Sequence, residues 1–189
     1  MLHIALKEWS IVCDLLAEGS LALLLRKGGI HEDAGPGIFR LEHPRFALWP
    51  SWAHQKPDMI KEPFRSRVQV IEEPAAVPIH HIGEAARIWE VPSRAAFDQL
   101  DDLHCWTKAQ IDMRFNYKPD HPLYLVAVRC HRLTAPALIP NEWHYGGCKS
   151  WVPLIDRDAI DDTAATPALS DAAFAKLIDR VDATFSVRA

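Results

Sequence analysis

A chain of 189 residues that is 49% apolar and 24% charged is long enough to bury one full hydrophobic core, and this balance excludes disorder as its main theme. Its formal net charge of −4 excludes a surface coated in positive potential, so any contact with nucleic acid has to be local. Apolar runs such as Leu21–Leu25 fall far short of the roughly 20 residues that span a bilayer, and no basic region leads into an apolar signal core; a cytoplasmic protein without a membrane partner is expected.

Residues 4–18, IALKEWSIVCDLLAE, place Ala5, Trp9, Val12 and Leu16 on one helical stripe, widened by Ile4, Ile11 and Leu15, with Gly19 where a C-cap belongs. An amphipathic helix is expected there, with Lys7, Asp14 and Glu18 on its polar side. SLALLLRK follows as a strand apolar on both faces. GIFRLEH and RFALWPSW read as short extended pieces, bent at Pro44 and stopped at Pro50, and 53–66 reads as a long loop.

SRVQVIEE and EAARIWEV alternate as strands. Pro92 and Ser93 open a helix through Phe97 and Leu100, and Thr107 opens a second one by its capping-box spacing to Gln110. PLYLVAVRCHRL is a strand running outward from a core, SWVPL a shorter one, and DAAFAKLIDRVDATF a helix with Phe174, Leu177, Ile178, Val181 and Phe185 on one side. The order αβββββααββα implies an α+β fold around a mixed or mainly antiparallel, partly closed sheet or barrel, with an N-terminal helix, a mid-chain helix pair and a C-terminal helix. It divides into a domain over 1–155, a polar, alanine-rich linker over 156–169 and a helical extension over 170–189, packed on the domain or on a partner.

Two stretches carry the chemistry. In RKGGIHE, Gly28 and Gly29 can turn their amides toward one point beside Arg26 and Lys27, a nest suited to phosphate or carboxylate. HYGGCKSW repeats the idea with Tyr145, Gly146, Gly147, Cys148 and Lys149. Each also reads as an ordinary tight turn. Arg114, near the end of the second mid-chain helix, is a further anion-binding candidate, although cations also favour helix C-termini. His31, Glu32, Glu42, His43 and His54 could supply acid/base or metal-binding groups, provided at least three of them converge. Cys148 could act as a nucleophile if an imidazole such as His144 activated it. Tryptophans near loops, among them Trp49, Trp52, Trp106, Trp143 and Trp151, can plug the core or stack on bases.

The absences narrow the field. There is no Walker A loop, G-x-G-x-x-G, G-x-S-x-G or H-E-x-x-H motif and no carboxylate two positions before a lysine, so no cofactor and no metal is expected. Cys13, Cys105, Cys130 and Cys148 are scattered without a C-x-x-C pair, as reduced structural thiols would be.

ALKEW, LLLRKGGIHE, RFALWPSWAHQ, LHCWTKAQIDMRFNYKPDHPLYLVAVRCHRL and YGGCKSW together resemble the bacterial family called domain of unknown function 1802, over residues 5 to about 154, with the last 35 residues outside the likeness. The resemblance implies no particular chemistry. The plan of a strand, a helix pair ending in Arg-Phe and a long strand is also similar to PUA-like barrels, including ASCH domains, many of which bind RNA or modified nucleotides. On these grounds the expectation is a nucleic-acid- or nucleotide-binding domain using Arg26, Lys27, Gly28, Gly29, Arg114 and the 145–149 loop. A hydrolase or nuclease built on the His/Glu set is the alternative, and a protein-protein interaction module using the C-terminal phenylalanine stripe is another.

Overall fold

The structure, a computed structural model, describes residues 1–27 and 39–186. Its first element departs from the helix expected over 4–18. Ile4–Trp9 is strand β1, and helix α1 runs only from Ser10 to Ala17. Neighbours on a strand point to opposite faces, and here Ala5 and Leu6 are both buried but join different apolar cores. Trp9 offers no capping side chain to α1. Gln55 supplies it from a distant turn, its Oε1 accepting from the Ile11 N–H at 3.1 Å. At the other end Gly19 takes φ 72°, and the Leu21 N–H reaches back to the Leu15 carbonyl at 3.0 Å, the closure that a left-handed glycine allows.

The sheet is completed by β2 (Leu23–Arg26), β3 (Arg45–Ser51), β4 (Ala76–Glu90), β5 (Tyr124–Pro140), β6 (Trp151–Pro153) and β7 (Thr166–Pro167). Its order is β2-β5-β4-β3-β1-β6, with β7 added beside β5. Strands β1 and β3 are parallel, Ala5 opposite Ala47 and Trp9 opposite Ser51, while the other pairings are antiparallel. The fold is therefore α+β on a mixed, mainly antiparallel sheet. Register shifts in the β4–β5 pair, between Ile79 and His81 and between Ala85 and Arg87, bend the long hairpin and curl the sheet.

Short helix α2 (Glu62–Arg65) interrupts the stretch expected to be a loop. Helices α3 (Arg94–Asp98) and α4 (Lys108–Asn116) fill the β4–β5 connection, as the sequence signals require. Ser93 Oγ accepts from the Ala96 N–H at 3.1 Å, and Thr107 Oγ1 from the Gln110 N–H at 3.4 Å. Two other expectations fail. Residues 66–73 form no strand and leave Val70 and Ile71 exposed. The described part of the piece expected over 37–43 is irregular, though Phe39 is buried and stacks on Trp151.

One face of the sheet packs Leu6, Phe46, Leu48, Val126 and Val128 against α1 and the mid-chain helices. The other packs Ala5, Trp49, Val77, Ile82 and Val152 beneath the 143–160 segment. Helix α5 (Asp171–Ser186) buries Phe174 and Val181 in the first core, and each such side chain contributes about 1.5–3 kcal/mol. Leu177, Ile178 and Phe185 pack beside them, so the apolar stripe is used within the chain. Residues 156–169 are more than a spacer, since Ile160 pairs with Leu2 and Thr166–Pro167 is β7. Among the described residues no helix is long and apolar enough to cross a membrane.

Candidate functional site

The parallel pair ends at a cleft of about 380 Å³. Strand β1 contributes Lys7, Glu8 and Trp9 to its wall, β2 contributes Leu25 and Arg26, and Lys27 follows. The end of β3 and the turn after it add Trp49, Ser51 and His54; α4 adds Arg114; and Gly146, Gly147, Cys148, Lys149 and Ser150 form the opposite lip. The basic residues ahead of the first glycine pair and the whole second glycine loop thus share one cavity. Gly28, Gly29, His31 and Glu32 lie outside the described residues.

The cations have different employments. Arg26 is a clasp: it donates to Glu8 Oε2 at 2.9 Å and the Lys7 carbonyl at 3.3 Å, bonds Ser150 Oγ, and lies over the Phe39 ring. It ties β2, β1 and the loop together, and Glu8 neutralises it. Lys7 donates to the carbonyls of Tyr145 at 2.8 Å and Gly147 at 3.3 Å, Lys149 to that of His144 at 3.1 Å, and Lys27 to that of Phe115 at 3.2 Å. Carbonyl oxygens orient an ammonium without cancelling its charge. Arg114 has neither a hydrogen bond nor an ion pair among the described residues, and it lines the cleft.

The site destabilises its own charges. Burial pushes the Lys7 ammonium below its ordinary range, and the nearby charge of Lys149 pushes it further. Burial also lowers Lys27, with Asp120 opposing. Arg114 is lowered first by burial, with Glu8 opposing and Arg26 adding to the effect. With Arg26 set against Glu8, the wall presents, among the described residues, Lys7, Lys27, Arg114 and Lys149 against one carboxylate, Glu73.

Glu73 was invisible to sequence reasoning. Its Oε1 accepts from Ser51 Oγ at 2.6 Å and from the N–H groups of Trp52 at 2.9 Å and Ala53 at 2.8 Å, while Oε2 is enclosed without a partner. It pins the 66–75 loop to the turn where His54 adopts φ 65°, a left-handed conformation unusual for a residue with a Cβ. Lys7 was missed for another reason. Reading Ile4–Trp9 as helix put it on a solvent face, whereas strand alternation would have placed it with Ala5.

Other candidates fall elsewhere. Tyr145 is buried, its hydroxyl donating to Asp158 Oδ2 at 2.6 Å and accepting from the Ile155 N–H at 3.2 Å, and it reaches the cleft only through its carbonyl. The glycine loop also differs from the expected nest of amides. Gly147 takes φ 91°, but Gly146 has φ −68° and its N–H closes onto the Trp143 carbonyl at 3.1 Å. Side-chain cations, more than amides, face the cavity. His43 rests edge-on against Trp151 and Glu42 is exposed, both off the cleft. Of the His/Glu set, only His54 among the described residues lines it. Cys148 is exposed at the lip, whereas the His144 ring packs on Tyr145 and turns Nδ1 toward Glu142 at 3.5 Å. No group of three or more His, Cys, Asp or Glu residues that could hold a metal ion occurs among the described residues.

An α+β chain on a curled mixed sheet, with a basic cleft at one end, is the class that fold and site define. Residues 5–180 match the family model described as "Domain of unknown function (DUF1802)", and the chain belongs to that family. The match extends past residue 154 and takes in most of α5, so the last 35 residues are not a segment outside the family. No curated protein and no solved structure matches the chain, and the likeness to PUA-like barrels gains no support.

Proposed function

We propose that the cleft binds the phosphate of a nucleotide unit, free or within a nucleic-acid strand. Arg114 carries this reading: a half-buried guanidinium in a cavity wall, without hydrogen bond or ion pair among the described residues. A desolvated cation left unpaired is costly, and a planar fork of donors matches the oxygens of a phosphate. Lys7 and Lys149 support it, since each is positioned by carbonyls and repels the other across the space an anion would occupy. A volume of about 380 Å³ lies within the roughly 300–1,000 Å³ of pockets that hold small organic ligands. Trp9, half-buried, is an aromatic residue in the same wall. A net charge of −4 is compatible with this reading because the described lining of the cleft carries five cations, Lys7, Arg26, Lys27, Arg114 and Lys149, against the two carboxylates Glu8 and Glu73.

Titration with nucleoside monophosphates and short single-stranded oligonucleotides at two salt concentrations tests the reading. Saturable binding that weakens as salt rises is expected, and Arg114→Ala should weaken it at least about tenfold, as loss of a charge-assisted bidentate contact does. Absence of saturable binding at low salt would remove the reading.

A further inference from the structure

We propose that the ligand is a single-stranded polynucleotide and that Trp143, just outside the cleft, is the platform on which its next base stacks. This rests on the phosphate reading of the cleft and adds the polymer to it. Trp143 is 91% exposed, a large indole left in water. It sits on a 3-10 turn (Trp143–Tyr145) between two cleft-lining residues, Asn141 and Gly146. Chain geometry keeps its Cα within about 7.6 Å of that of Asn141, at about 3.8 Å per residue.

The turn is rigidly held, which a stacking surface requires. The Tyr145 N–H donates to the Glu142 carbonyl at 2.9 Å, the Gly146 N–H to the Trp143 carbonyl at 3.1 Å, and the Tyr145 ring is buried against Trp49. Asn141 anchors the base of the turn, its N–H donating to the Ala75 carbonyl at 2.9 Å and its Nδ2 to the Pro74 carbonyl at 3.1 Å. The one carboxylate flanking the indole in sequence, Glu142, is bonded by Arg157 and faced by His144, which removes its repulsion toward phosphate. An exposed aromatic beside unneutralised cations combines the elements of single-strand recognition: charge for the backbone, and a π-face that accepts any base. Charge complementarity selects this occupant over an apolar peptide, which would use the indole and leave the cations unpaired.

The test measures affinities of mono-, di- and tetranucleotides bearing a 5′-phosphate at low salt, for the full chain and for Trp143→Ala, Trp143→Phe and Arg114→Ala. Because the side chain is exposed, its replacement leaves the fold intact. Affinity should rise from mono- to tetranucleotide. Trp143→Ala should remove about tenfold of that gain while leaving the mononucleotide unaffected, and Trp143→Phe should keep most of it. Arg114→Ala should weaken all lengths alike. Equal affinity for all lengths, or a tetranucleotide indifferent to Trp143→Ala, overturns the stacking platform and leaves the phosphate reading standing. Failure of every nucleotide to bind overturns both. A dimer in size-exclusion chromatography that Trp143→Ala converts to monomer assigns the indole to self-association and overturns the proposal as well.

Discussion

Two regions of this molecule use the same residue types to opposite ends. Around α5 three described arginines find carboxylates: Arg87 bonds Asp182, Arg129 bonds Asp171, and Arg180 bonds Asp102. Around the cleft, among the described residues, Arg26 is paired in that way, while Lys7, Lys27 and Lys149 donate to carbonyl oxygens and Arg114 has neither a hydrogen bond nor an ion pair. The first region is closed on itself, with Phe174 and Val181 seated beneath its ion pairs. The second carries charge that the described chain does not balance. A cation's role here follows from whether the fold gives it a carboxylate, and residue type alone does not disclose that.

The comparison can be broken first at the closed side. Phe174→Ala should cost about 3–5 kcal/mol in chemical denaturation, the range for emptying a buried aromatic site, and should leave ligand affinity per folded molecule unchanged. An equal loss at the cleft would show that the two regions are coupled.

Next in size is the pH response of the same side. His104 lies between Phe97 and Trp106 with neither ring nitrogen hydrogen-bonded among the described residues, and burial holds it down at about 4, with Lys61 pushing the same way and Asp101, 3.8 Å from Nε2, opposing. Its unfolded value is near 6.5, so between the two values the unfolded chain binds more protons. Stability should be complete above about pH 6.5, fall by up to about 3 kcal/mol as the pH drops toward 4, and level off below. His81, held at about 4 by burial, His80 and Arg132, acts in the same direction. Urea midpoints at pH 7.5 and 4.5 for the native chain and for His104→Phe measure the contribution, and the variant should show the smaller drop.

At the cleft, Arg114→Met should leave stability unchanged or slightly raised, because it removes an unpaired, partly desolvated charge, while ligand binding falls by about tenfold. A loss of stability instead would mark the guanidinium as structural. Gly147→Ala should cost about 1 kcal/mol from backbone conformation alone, since φ is 91° and an added Cβ meets nothing within 4 Å. Denaturation midpoints check the cost, and a weaker nucleotide affinity would place it at the lip. Arg180→Ala, which breaks an exposed pair, should change stability by less than about 1 kcal/mol and binding not at all.

Much of the architecture was legible along the chain. Ser93 and Thr107 cap α3 and α4, Gly19 closes α1, and the long alternating run becomes β5. These signals act through bonds spanning a few residues, and the backbone obeys them locally. Where reading failed, a distant partner decided. Ile4–Trp9 satisfies a helical stripe as well as an alternating strand, and the slot between β3 and β6 selects the strand. Residues 66–73 alternate too, but they form no strand, and Glu73 ties their loop to Ser51, Trp52 and Ala53. In the site, the 26–27 and 146–149 residues could be named in advance as polar and basic, whereas Glu73 and Lys7 could not.

The sequence by itself determined the α+β class, the helix caps, the slightly acidic overall balance, and the absence of nucleotide-fold or metal-ligand motifs. Only the tertiary structure decided that Arg26 is neutralised by Glu8 while Arg114 has no ion pair among the described residues, that Tyr145 belongs to the core, and that Trp143 remains in water beside the cleft. The physical reason is range. Capping and periodicity act between neighbours in the chain, but a charge is balanced or unbalanced only by what the folded chain brings within a few ångströms of it.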